Sequence, residues 1–167
     1  KGRDQGRRLP NKVAKIGWLT YLRRMIRCHA SSVEIDGRGV LLRGPSGAGK
    51  SDLALRLVDG GGRLISDDYT DIHVADGKAL LTAPDEICGR IEVRGFGLMS
   101  LEAISDIPLA LVVDLMSHDR IERMPEPDTV AFEDVMVPRR AIDPFMASAP
   151  AIIRLALRQD PLLTGYE

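Results

Sequence analysis

From residue 29 onwards the chain sets apolar and polar positions in short alternating blocks, separated by turn-forming residues. Val33 and Ile35 alternate with polar neighbours, Asp36-Gly37 is a turn signal, and residues 39–43 read as a buried strand. This stretch predicts a β-hairpin. After a glycine-rich segment at 44–50, residues 51–59 place Leu53, Leu57 and Val58 on one side of a helix that Gly60-Gly61-Gly62 ends. Residues 63–66 predict a short strand running into Asp67-Asp68. Ile72, Val74, Asp76-Gly77 and residues 79–81 predict a second hairpin. Further strands are expected at 91–94, stopping at Gly95 and Gly97, at 109–113 and at 135–137. Ser148 is placed to cap a last helix, with Pro150 in its first turn and Ile152, Ile153, Leu155 and Ala156 as its apolar face. The alternation is that of an α/β fold, and two hairpins predict a mixed rather than a purely parallel sheet.

Residues 1–28 break the pattern. Leu19, Leu22 and Ile26 fall at i, i+3 and i+7, with Arg23, Arg24 and Arg27 elsewhere on the turn, which predicts a short amphipathic helix. One reading is an arm for a membrane surface or nucleic acid. The plainer one, which we prefer, is a dispensable extension or sequence upstream of a start at Met25. It predicts that deleting residues 1–24 leaves folding and ligand binding intact. The segment has no h-region or cleavage site of a secretory signal.

Composition sharpens this division. The 167 residues are 44% hydrophobic and 28% charged, enough for one globular core, which excludes a disordered tail or a collagen-like repeat. The longest apolar run, residues 107–113, is far short of the ~20 needed to cross a bilayer. Cys28 and Cys88 form no CxxC and no disulfide framework, which points to a reducing, cytoplasmic setting. Aromatics are only 4% of the chain, few for a protein that stacks bases. The net charge of −1 is the sum of +8 on residues 1–28 and −9 on residues 29–167. The expected organisation is therefore a basic extension, 1–28, ahead of a domain, 29–167.

The chemistry begins at Gly44-Pro45-Ser46-Gly47-Ala48-Gly49-Lys50-Ser51, which matches G-x-x-x-x-G-K-[ST] between a predicted strand and a predicted helix. Glycines let successive backbone N–H groups face phosphate oxygens, and the helix N-terminus adds partial positive charge. In such a loop Lys50 reaches the β- and γ-phosphates and the Ser51 hydroxyl ligates Mg²⁺. Nucleotide binding is the strongest expectation from the sequence.

Three acidic sites compete for the accompanying role. Asp114 ends the apolar run Leu109-Ala110-Leu111-Val112-Val113, as a metal-holding Asp does in many phosphate-loop proteins, although strands ending in Asp are common. Asp67-Asp68 follow a short strand; adjacent carboxylates repel, which makes one a better proton acceptor, but Asp is also frequent in turns. Glu92 shares a strand face with Arg94, either as a solvated ion pair or as a ligand to something the following glycines let approach. Spacing leaves these alternatives open.

Together these residues resemble the catalytic domain of the HPr kinase/phosphorylase family. The likeness runs from about His29 to Arg158. It rests on His29 ahead of the loop, on residues 44–51, on Arg63-Leu64-Ile65-Ser66-Asp67-Asp68, and most specifically on Ile91-Glu92-Val93-Arg94-Gly95-Phe96-Gly97. The resemblance implies an α/β fold, a mixed sheet with flanking helices around the phosphate loop, of the PEP carboxykinase-like type. It implies an ATP- and Mg²⁺-dependent protein-serine kinase acting on the phosphocarrier protein HPr of the phosphotransferase system, with no nucleic-acid or membrane partner. By position, Lys50 holds phosphates, Ser51 and Glu92 hold Mg²⁺, and Asp68 is the base that accepts the serine proton. Asp67 and His29 support it, and Arg123 falls where the family has a catalytic arginine. The family carries no metal-ligating Asp at the position of Asp114, so the resemblance favours Glu92.

Three departures qualify the likeness. The signature tied to dephosphorylation appears as Val137-Pro138-Arg139-Arg140-Ala141-Ile142-Asp143 without its Gly-Arg pair, which counts against the reverse, phosphate-driven reaction. The family's usual N-terminal domain has no counterpart, as in short members made of the catalytic domain. The segment around Met116 to Met124 is shorter than usual. Longer members form hexamers; the homo-oligomeric state of this chain is left open. Rival readings are a phosphate-loop kinase of a metabolite and a nucleotide-sensing module without turnover.

Overall fold

The computed structural model describes residues 25–159. Of the amphipathic helix expected through Leu19, Leu22 and Ile26, the first two positions lie outside the described residues, and Ile26 and Arg27 stand in a strand instead. The sheet begins at β1 (Ile26–Cys28), inside the nominal extension, where Ile26 to Cys28 pair antiparallel with residues of β5 (Thr70–Ala75).

Two hairpins form where the turn signals stand. Asp36-Gly37 joins β2 (Ala30–Ile35) to β3 (Arg38–Arg43), and Asp76-Gly77 joins β5 to β6 (Lys78–Thr82). All four turn residues have positive φ, the geometry that matches the twist of the flanking strands. Between them come α1 (Lys50–Asp59) and β4 (Arg63–Ser66); after the second hairpin comes β7 (Arg90–Val93), which among the described residues pairs only with β8 (Gly97–Ser100). The remaining elements are β9 (Ile107–Leu115), β10 (Asp128–Phe132), β11 (Val135–Ile142) and α2 (Ala149–Gln159).

The main sheet runs β1-β5-β6-β9-β3-β2-β4, with β11 also paired to β9 and β10 to β11. β9 is the seam. Its first residues pair antiparallel with β6, and Val112 to Leu115 pair parallel with β11. The sheet thereby curls into two layers. Val40, Leu42, Leu111 and Val113 face the helices with Leu53, Leu57 and Ile153. Leu41, Ile65 and Val112 face the other way, onto Ile72, Leu81 and Leu109. β3 and the centre of β9 are buried on both faces, which is why they read as continuous apolar runs rather than alternation.

The last helix corrects one expectation. Its inward stripe is Ala149, Ile153 and Leu157, spaced by four, while Ile152 and Leu155 point outward at 39% and 47% exposure. Arg154 of α2 donates to the Leu57 and Gly60 carbonyls at 3.0 and 2.8 Å, so α2 caps α1 and fixes the helix that carries the loop.

Candidate active site

β3 ends at Arg43, and residues 44–49 lead directly into α1. Gly49 stands at the helix N-cap with φ +86°, and a Cβ there would lie 3.2 Å from the Phe145 ring and 3.3 Å from Pro144. Backbone conformation and space both require glycine. A Cβ on Gly44 would meet that of Ala48 at 2.9 Å. Pro45 and Ala48 close the loop through a backbone hydrogen bond, Ala48 N–H to the Pro45 carbonyl at 3.1 Å, while Ser46 and Gly47 form its tip. The Lys50 ammonium, 7% exposed as a residue, donates to the Gly44 and Pro45 carbonyls at 2.9 and 3.1 Å. Burial pushes its pKa below the ordinary lysine value, and the nearby Asp68 and Asp67 charges oppose that shift.

Behind the loop, β4 delivers Asp67 at its C-terminal end. Asp67 is 5% exposed and accepts hydrogen bonds from the Ser31 hydroxyl (2.6 Å), the Ser51 hydroxyl (2.9 Å) and the Glu92 backbone N–H (3.2 Å). Among the described residues all its hydrogen-bond donors are neutral. Asp68 diverges from it because its backbone is left-handed, φ +70°. Its carboxylate faces solvent and lies 3.0 Å from His29 Nε2, and the His29 ring is tilted against Tyr69 with centroids 5.4 Å apart. The adjacent pair thus splits into one buried and one exposed carboxylate.

Glu92 sits on β7 with Ile91 buried against α1 and its own side chain exposed, while Arg94 lies past the end of the strand, not on its face. Asp114 is on the opposite flank of the loop. Arg43 clamps it with two hydrogen bonds of 2.8 and 2.9 Å, and Arg139 approaches to 3.7 Å. Arg123 is on the exposed segment between the turn His118–Arg120 and β10, and no hydrogen bond or ion pair joins it to the cluster among the described residues. Two partners escaped sequence reading. Ser31 is a buried polar residue of β2 beside two others, Ser32 and Glu34, with no motif to mark it, and Tyr69 directly follows Asp68.

No group of three or more His, Cys, Asp or Glu is arranged to hold a metal among the described residues. The donor set is hydroxyl and carboxylate oxygen, which suits Mg²⁺, an ion held by one or two protein oxygens together with phosphates.

Among the described residues, a curled mixed sheet, two α-helices and a glycine-rich loop between β3 and α1 define an α/β domain. The model of the HPr Serine kinase C-terminal domain matches residues 20–143, beginning ahead of the boundary expected at 29. The chain belongs to this family. It is 40% identical over 95 residues to the HPr kinase/phosphorylase of Clostridium beijerinckii, covering 55% of this chain and 32% of that protein. With the HPr kinase/phosphorylase of Clostridium botulinum it is 43% identical over 75 residues, 45% of this chain and 25% of that one. The aligned part is thus a quarter to a third of these relatives' length. The structure of the Hpr(Ser) kinase/phosphatase from Coxiella burnetii superposes with a TM-score of 0.72 at 24% identity, over 82% of this chain and 97% of that one. That likeness shows the fold.

Proposed function

We propose that the chain is an ATP- and Mg²⁺-dependent protein-serine kinase whose acceptor is an HPr-type phosphocarrier protein. The observation that carries this reading is the divergence of Asp67 and Asp68. One carboxylate is buried behind Ser51 at the loop; the next is open to solvent and braced by His29.

In this reading the first-turn amides of α1 and the Lys50 ammonium hold the phosphates. Because the Ser51 hydroxyl donates its proton to Asp67, its lone pairs are left for a cation. Ser51 and Glu92 would hold Mg²⁺, which would supply positive charge to offset that of the phosphates. Asp68 receives the proton of the acceptor serine as its oxygen bonds to the γ-phosphorus and the bond to the β–γ bridging oxygen breaks, releasing ADP. His29 positions Asp68. A protein acceptor suits the open mouth of the site, where Phe96, Leu98 and Met99 stand exposed on the hairpin that follows Glu92.

Cys28 and Cys88 are free thiols, as a cytoplasmic setting favours. Among the described residues no helix is long and apolar enough to cross a membrane. The missing Gly-Arg pair after Pro138 makes the forward reaction the principal one. Incubation with labelled ATP, Mg²⁺ and an HPr-type protein tests the proposal. Labelled phosphoserine on the acceptor is expected. ATP binding without transfer to any such acceptor would overturn the assignment in favour of a sensing module.

A further inference from the structure

A second concavity lies on the flank of the loop away from Asp67. It is a cleft of about 470 Å³ over the C-terminal ends of β9 and β11, within the roughly 300–1,000 Å³ of small-molecule sites. We propose that this cleft is the nucleoside subsite, taking the base and sugar of the nucleotide whose phosphates occupy residues 44–51. The inference rests on the nucleotide reading of that loop and deepens it.

Position is the first argument. β3, β9 and β11 are mutually parallel neighbours, so the cleft opens on the same edge of the sheet as the loop. In α/β sheets ligands lie beyond the carboxyl ends of the strands. A Cβ on Gly44 would be 3.3 Å from that of Leu115, and the next residue, Met116, lines the cleft. The cleft therefore begins beside the first residue of the loop. Asp67 and Asp68, directly after β4, stand on the other side of β3 and fix the end at which the transferred phosphoryl is handled. A nucleotide with its terminal phosphate there carries its nucleoside toward β9 and β11.

Charge is the second argument. Three arginines and four carboxylates line the cleft, a near balance that suits an uncharged group rather than another phosphate. Arg139 bonds Asp128 at 2.7 Å and approaches Asp114, itself clamped by Arg43, so these carboxylates are already matched by cations. The third argument is the wall. Met116, Ile121, Pro125 and Pro127 offer apolar surface to a flat ring, and the Glu122 and Glu126 carboxylates are acceptors within the same cleft for sugar hydroxyls or an exocyclic amine.

Calorimetric titration of the full chain with Mg²⁺-ATP and with Mg²⁺-tripolyphosphate separates the two parts of the site. ATP should bind at least about tenfold tighter than tripolyphosphate. Ile121→Trp, which fills the cleft, should weaken ATP about tenfold and leave tripolyphosphate within about twofold. Pro127→Trp provides the same test should the first variant fail to fold, as circular dichroism would show. Equal affinities for the two ligands in the unsubstituted chain would overturn the inference. So would an ATP affinity unmoved by either folded variant, or an equal loss for both ligands. If neither ligand binds, the nucleotide reading of residues 44–51 falls first and the inference with it.

Discussion

Asp67 and Asp114 are each delivered by a buried strand, one on either side of the strand that leads into the glycine-rich loop, yet they are finished in opposite ways. Asp67 takes its hydrogen bonds from two serine hydroxyls and a backbone N–H. Asp114 is gripped by the Arg43 fork, with Arg139 behind it. Neutral donors orient a carboxylate without cancelling its charge; guanidinium groups cancel it in place. The first arrangement leaves negative charge facing Ser51 for a cation to meet. The second ties the sheet together. If the proposed function holds, what distinguishes the working carboxylate from the structural one is the charge of its partners, not its position at a strand end.

The strongest way to break this contrast is to remove each charge in turn. Asp67→Asn should lower Mg²⁺-dependent phosphoryl transfer by about a thousandfold or more while the fold persists. Asp114→Asn should leave transfer within a fewfold and lower stability by about 1 kcal/mol, discounted for the partial exposure of the pair. Denaturant midpoints and initial rates on both variants decide the matter, and the reverse ranking would sink the comparison. Next in size, Glu92→Gln should cost about a hundredfold in kcat and raise the Mg²⁺ concentration for half-maximal rate, which a metal titration measures.

The smallest effect sharpens the structural half of the contrast. Glu34 is buried, and its hydrogen bond from Arg63 is the main cause holding its pKa below the ordinary 4.5, with burial opposing. Its stabilising contribution is therefore fully present above pH 4.5 and is lost as pH falls through the lowered folded-state value. Glu34→Gln should flatten that acid limb in thermal melts between about pH 5 and 3. An unchanged limb would show that the pair contributes nothing to acid stability.

Sequence periodicity located the strands that bury one clear face or both, and the two Asp-Gly hairpins, because those signals are local. It missed β8, whose residues are all exposed, and β10, where burial is uneven and only Phe132 is fully inside. It cut β9 and β11 short at Pro108 and Pro138, residues that cannot donate to a ladder and yet sit within these strands. The loop, Lys50 and Ser51 were legible as a motif, and Asp67-Asp68 as a pair, but not which of the two is buried. That depends on the left-handed turn at Asp68 and on Ser31, a residue far away in the chain with nothing to announce it. Nor did the sequence disclose that Arg43 closes off Asp114, since the two are 71 residues apart.

The seam strand also sets the order in which this molecule can assemble. β3 gains its neighbour β2 across a two-residue turn, a closure on the microsecond scale. Its other neighbour, β9, is separated from it by some seventy residues, and β11 must then dock on β9 in turn. Loop-closure entropy delays such parallel, distant pairings and places the domain among slowly folding topologies. The floor beside Gly44 exists only after Leu115 arrives. The glycine-rich loop, the most local motif in the chain, is therefore among the last parts of it to acquire a shape.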